Sequence, residues 1–160
     1  MSQELSHLDE AGRARMVDVG DKDVTQRRAQ ARAQLRMTPA TAQLLVDGRL
    51  PKGEALGVAR VAGIMAAKRT PELIPLCHTV ALASVEVDVA VDVEAGLATV
   101  IAATRATDRT GVEMEALVAV SIASLTLYDM VKAVERGVVL ERVELLHKSG
   151  GVGGEWQRGT

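Results

Sequence analysis

The chain has no phenylalanine, one tyrosine (Tyr128) and one tryptophan (Trp156). Single-stranded nucleic acids are held largely by stacking bases on aromatic rings, so that platform is missing. The net charge of -2 supplies no global field to recruit a polyanion. Nucleic acid is therefore not an expected partner, and an anionic ligand must be held by local lysines and arginines. Cys77 is the only cysteine, which excludes an internal disulfide and fits a reducing cytoplasm. With three histidines (His7, His78 and His147) it falls short of the paired ligands of a structural zinc site, so no metal site is expected. The longest uncharged run, Ala116 to Tyr128, has 13 residues and is too short to span a bilayer. No basic, apolar and small-residue leader opens the sequence, so no secretory signal is expected.

What is present is enough for one core. The chain has 160 residues and is 48% apolar, which predicts a single globular domain. Residues 1–15 are polar without a period and read as a flexible arm. Residues 16–151 form the domain, with a short extended piece at Met16–Val19 (MVDV). Residues 152–160, rich in glycine, read as a loose tail.

From Thr25 to Met37 small or apolar residues at odd positions alternate with Gln and Arg at even ones. Period two predicts a strand with one wet face, although Ala, Gln and Arg alone favour a helix. Arg27 then shares the alanine face. Two readings of it stay open: a covered charge that needs an anionic partner, or a frayed strand end in water. Thr38-Pro39 opens a short helix that Asp47-Gly48 breaks. Pro51 is expected to open a longer one, reaching about Arg69, with Ala55, Ala59, Gly63 and Ala67 as a ridge of small residues. Lys52 would lie in its first turn, where the dipole disfavours a cation, and this placement hints at an anion there. Thr70-Pro71 starts a short turn that Pro75 ends. Valines at 85, 87, 89, 91 and 93 alternate with Glu86, Asp88, Ala90, Asp92 and Glu94, the clearest strand of all. Glu94-Ala95-Gly96 turns it into an antiparallel partner, Leu97 to Thr107. Val138 to Lys148 reads as a last strand.

Between these strands lies the stretch Thr110 to Gly137. Thr110 and Glu113 match a capping box, and Gly137 matches a helix stop, giving a helix of about 40 Å. Its middle is apolar or small nearly all round, while Glu113, Glu115, Asp129 and Lys132 sit near its ends. The order of elements predicts an α+β fold: an antiparallel sheet with helices on one face, ferredoxin-like, with an extra N-terminal strand or helix.

Three groups of residues could carry chemistry. Cys77 and His78 are adjacent, so on an extended segment they point to opposite sides. Cys77 reads as a small buried residue; His78 is either a donor or proton carrier, or a satisfied loop histidine. Asp129 and Lys132 are spaced i, i+3 and meet on one helix face. They are either a surface pair of little consequence or, given the apolar neighbours Leu127, Met130, Val131 and Val134, a buried pair whose lysine has a depressed pKa. Lys148 precedes Ser149-Gly150-Gly151, whose bare amides suit phosphate oxygens, or it lies in a flexible terminus. Glu115 and Asp129 lie 14 residues apart, within about 40° around the helix but roughly 21 Å along it. One small-molecule site that used both would draw them from two chains, with two such helices antiparallel across a twofold axis. The rival is that only one end is functional.

The segments RVAGIMAAKRT, LIPLCH, TGVEMEAL, LYDMVKAV and LLHKSGG resemble the MoaC family, the cyclic pyranopterin monophosphate synthases of molybdenum cofactor biosynthesis. The likeness runs from Met16 to Gly151. It implies a ferredoxin-like subunit, dimers assembled into a hexamer, and active sites at the dimer interface. It implies a lyase that converts (8S)-3',8-cyclo-7,8-dihydroguanosine 5'-triphosphate, a GTP-derived substrate, into cyclic pyranopterin monophosphate with release of diphosphate. The family's catalytic aspartate and lysine fall on Asp129 and Lys132, and further lysines on Lys52 and Lys148. Its substrate-contacting residues fall on Leu76, Cys77, His78, Met114, Glu115 and Arg27. On this likeness Arg27, Lys148 and His78 hold phosphates, and Lys52, Lys132 and Asp129 move protons. Asp129 also orients Lys132, and Glu115 with the backbone near Leu76 holds the guanine-derived ring. No cofactor is required; magnesium riding on the triphosphate would need no protein cage. The sequence departs from the family in having Val152 where a second lysine often follows the glycines, and in ending GGEWQRGT rather than in an acidic tail. Other readings are a nucleotide-binding regulator without turnover, and an oligomeric scaffold. A pure binder needs the cations but not the acid–base set, and a scaffold leaves the helix-end charges without a role.

Overall fold

A computed structural model describes residues 8, 9 and 11–159. The elements run β1 (Thr25–Arg36), α1 (Pro39–Val46), α2 (Ala55–Ala67), α3 (Thr70–Leu73), β2 (Leu82–Asp92), β3 (Leu97–Asp108), α4 (Glu113–Val131), β4 (Val139–Ser149) and β5 (Trp156–Gln157). The five strands form one sheet in the order β2-β3-β1-β4-β5, every neighbouring pair antiparallel. This is an α+β fold.

Period two prevails over helix propensity in β1. Arg27, Ala29, Ala31, Ala33 and Leu35 are buried, while the even positions face outward. Small residues at these odd positions let helix α4 lie close to the central strand. The β2–β3 hairpin turns at Gly96, whose φ of +61° suits glycine and whose carbonyl accepts the Met37 amide. The predicted ridge on α2 is real: Ala55, Ala59, Gly63 and Ala67 are all buried. A Cβ on Gly63 would stand 2.9 Å from the Ala119 carbonyl oxygen of α4, closer than real contacts allow.

Several expected boundaries move. Helix α4 has 19 residues, so it is about 28 Å long rather than 40. Thr110 does not cap it; Val112 occupies the N-cap position without a side-chain cap, and its carbonyl accepts the Thr104 hydroxyl. At the other end Lys132 is the C-cap, and the chain turns before Gly137. Helix α2 begins at Ala55, capped by the Glu54 carboxylate on the Gly57 amide, so Lys52 lies in the turn before it. The helix-dipole argument for Lys52 therefore fails. No extra helix or multi-residue strand precedes β1 among the described residues; Met16–Val19 has no regular structure, and Leu8 and Ala14 form an isolated bridge. Much of the expected arm, residues 1–7 and 10, lies outside the described residues. The tail is not simply loose: Trp156 pairs with Lys148, Gln157 pairs with His147, and the Arg158 amide donates to Leu146.

Helix α4 has the length and composition to cross a bilayer, but ten of its residues are buried within this fold. It packs on β1, β3 and α2.

Candidate active site

The sequence-nominated residues fall into three groups, two of them at opposite ends of α4. At its C-terminal end Asp129 accepts from two lysines. Lys52 Nζ lies 2.5 Å from Oδ2 and Lys132 Nζ lies 2.7 Å from Oδ1. Lys132 reaches back one helical turn, as its spacing predicts. Lys52 arrives from the turn before α2, a contact 77 positions away that no local pattern announces.

All three side chains are about half exposed, so of the two readings of the Asp129–Lys132 pair the buried one, with its depressed lysine, is corrected. The pKa directions follow. Hydrogen bonds from Lys132 and then Lys52 hold Asp129 down at about 2. The bond to Asp129 pushes Lys132 up rather than down. Free of ligand, this end is a fixed carboxylate flanked by two ammonium groups. Such a set can donate protons to developing anions and hold the donors in place; a lysine acts as base only after its partner is drawn away.

At the N-terminal end of α4 a cleft of about 380 Å³ opens. Met114 and Glu115 line it from the first turn of α4, and Leu76, Cys77 and His78 from the segment after α3. Glu115 is only 4% exposed. Burial, and then the charges of Glu113 and Asp108, raise its pKa against a lowering by its own amide. Burial, then Glu115, likewise raises that of Cys77, so the thiol is kept from ionising. His78 Nε2–H donates to the Val17 carbonyl at 2.6 Å. A carbonyl only accepts, so the proton sits on Nε2, leaving Nδ1 as the acceptor in the neutral ring. This makes Met16–Val19 a wall of the cleft. Lys22 lines the same cleft and was missed from sequence, since an isolated lysine in an aperiodic segment has no local signal.

The third group surrounds Arg27. It is 8% exposed, which excludes a frayed end in water, yet its partners are not anionic. Nε donates to the Asp108 carbonyl at 3.1 Å and Nη2 to the Arg109 carbonyl at 2.9 Å. It thereby fastens the loop that leads into α4 and Glu115. Gly151 (φ +72°) lies flat on the guanidinium: a Cβ there would stand 1.8 Å from Nη1. Lys148, next to last in β4 before this bend, donates through Nζ to the Gly154 carbonyl at 3.2 Å.

The structure therefore joins Lys52, Asp129 and Lys132, and separately joins Leu76, Cys77, His78, Met114 and Glu115. Arg27 and Lys148 border the glycine bend. It does not unite the two ends of α4, which remain roughly 21 Å apart along one helix.

A family model described as MoaC family matches residues 16–151. Among curated proteins, the cyclic pyranopterin monophosphate synthase of Herpetosiphon aurantiacus is 58% identical over 96% of this chain and 93% of that protein. The protein of the same name from Chloroflexus aggregans is 57% identical, over 97% of this chain and 94% of its own length. That of Parvibaculum lavamentivorans is 53% identical over 98% of both.

Proposed function

The chain belongs to the MoaC family, and from that premise we infer that it is a cyclic pyranopterin monophosphate synthase acting in molybdenum cofactor biosynthesis. It is an enzyme, of the lyase class. It converts (8S)-3',8-cyclo-7,8-dihydroguanosine 5'-triphosphate into cyclic pyranopterin monophosphate and diphosphate. The observation that carries the chemical assignment is the Lys52–Asp129–Lys132 cluster, an acid–base set that a binding protein would not need.

In this reading Lys52 and Lys132 are proton donors, and Asp129 fixes them and takes part in the transfers. Substrate phosphates that displace Asp129 from one lysine would free that carboxylate as a base. Glu115 and the backbone near Leu76 hold the guanine-derived ring, with Met114 and Cys77 against it. His78, Lys148 and Arg27 serve the phosphates. Arg27 Nη1 lies against the glycine bend proposed to receive them, while its other donors hold the loop. Neutralising triphosphate charge and moving protons at several atoms are what ring opening, pterin closure and cyclic-phosphate formation require. Magnesium would enter on the phosphates.

The separated clusters favour a site shared between chains. Val58, Val61, Met65, Leu73 and Leu125 form an exposed apolar surface over α2, α3 and α4. Beside it Ala62, Ala66 and Ile122 help line an apolar depression of about 350 Å³. A second copy seated there with its α4 antiparallel would bring its Asp129 end to the first copy's Glu115 end. We assign this face to a homodimer, with three dimers making a hexamer in the cytoplasm. The strand order β4-β1-β3-β2, with helices after β1 and β3, supports a ferredoxin-like reading with β5 added at the edge.

The direct test is incubation with the cyclic dihydro-GTP intermediate. Stoichiometric diphosphate and cyclic pyranopterin monophosphate are expected; binding without diphosphate release would point to the regulator.

A further inference from the structure

The sheet's outer face, away from the helices, carries the even-numbered side chains of β1. Three are arginines, and two of these are neutralised by β4: Arg32 pairs with Glu144, and Arg36 with Glu141 at 2.5 Å. Arg28 differs. Its cross-strand partners are Arg105 on β3 and Ser149 on β4. Like charges directly opposite each other on neighbouring strands destabilise the pair. Among the described residues neither Arg28 nor Arg105 has a side-chain hydrogen bond or an ion pair, although Arg32 and Arg36 on the same row have both.

The two arginines border a depression of about 340 Å³, together with Gln30, Ser84, Glu86 and His147. Ala103, on β3 between Gln30 and Glu86, is too small to fill it. Glu86 is the one carboxylate in its wall and makes no ion pair with either arginine. His147 is already bound through Nε2 to Glu155, at 2.8 Å. We propose that this depression is a second anion site, built for a phosphate-class oxyanion. Arg28 and Arg105 grip it from adjacent strands, and the Ser84 hydroxyl and Gln30 amide add uncharged donors. Two guanidinium forks with further donors suit a tetrahedral dianion with several free oxygens. The bound anion turns a repulsive pair into a bridged one. The site lies on the opposite side of the sheet from α4, and its argument does not depend on the reaction assigned above.

The test is titration of the full-length protein with inorganic phosphate at constant ionic strength, with chloride as the control. His147 is the reporter, its ring resonances identified by their loss in H147N. The expected result is a saturable shift of those resonances and a phosphate-dependent rise in melting temperature. Both persist in K148A, which separates this site from the phosphate-holding group at the glycine bend. The R28Q/R105Q double variant loses the His147 shift and the part of the melting rise that K148A retains, and in phosphate-free buffer it melts above wild type because the repulsion is gone. R28K/R105K keeps a weakened response. An unmoved His147 in wild type, or an equal shift in R28Q/R105Q, overturns the proposal.

Discussion

Replacing Gly151 by alanine adds only a methylene's worth of atoms to the chain, yet it should disturb both stability and turnover. The added Cβ would stand 1.8 Å from Arg27 Nη1 and 2.5 Å from Cζ. Carbon and nitrogen normally meet near 3.5 Å, so the guanidinium must withdraw by more than about 1 Å. Such a shift stretches the bonds to Asp108 and Arg109, now 3.1 and 2.9 Å, beyond useful length. Bonds from charged donors contribute about 1.5–3 kcal/mol each, and a non-glycine residue at φ +72° costs about 1–2 kcal/mol. Water and relaxation recover part of this, so a loss of about 3 kcal/mol is expected. For a domain of this size that lowers the melting temperature by roughly 6–12 °C. The loop that moves leads into Met114 and Glu115, so kcat/KM should fall even below the melting transition. Calorimetry and diphosphate release measure the two effects. Arg27→Lys separates the roles, because it keeps the charge but loses the fork: low activity is expected if Arg27 positions the loop. G151A with wild-type melting and turnover would refute the reasoning.

Two further outcomes follow from charge. Asp129→Asn keeps the shape but not the carboxylate, and turnover should drop about 10²–10⁴-fold with diphosphate release as the assay. Its folded pKa lies below the unfolded one, so its stabilising effect is present above about pH 4 and lost as pH falls through about 2. Melting curves of wild type and D129N should therefore converge at the acid end and separate above it; parallel curves throughout would contradict the ion-pair assignment. Glu115 has the opposite sign, since a raised carboxylate pKa makes stability fall as pH rises through 4.5 and beyond. Glu115→Gln should match wild type near pH 4, melt higher near pH 8, and still lose substrate affinity, measured as a raised KM.

The strands were legible in the sequence because period two survives even an unfavourable composition, as β1 shows. So was the small-residue ridge of α2, since four-residue spacing stacks its members along one side of a helix. The helix ends were not. Thr110 and Glu113 match a cap on paper, but Thr110 lies in a loop whose carbonyls on either side, at Arg109 and Val112, accept from Arg27 and Thr104. Pro51 suggested a helix start, yet the Glu54 carboxylate supplies the stronger cap. In the site, Asp129 and Lys132 were found by spacing alone. Lys52 was singled out for its place near a helix start and by the family likeness, but its contact with Asp129 is tertiary and no pattern announced it. Lys22 and the Val17 carbonyl could not be found, because a backbone carbonyl carries no residue signature and Lys22 lies in a segment without period. The strand at Trp156–Gln157 is too short to have one.

The central claim is that each active site takes one end of α4 from each of two chains. Lys132→Ala disables the chemistry at one end and Glu115→Gln weakens substrate binding at the other, so with substrate held well below KM each variant alone should be nearly inactive. Unfolded together in equal amounts and refolded, they give dimers of which half are mixed. In a mixed dimer one of the two sites receives two intact ends, so about one quarter of wild-type diphosphate release should return. If each chain carried its own complete site, every chain in the mixture would hold one defect. The refolded mixture would then be no more active than the separate variants.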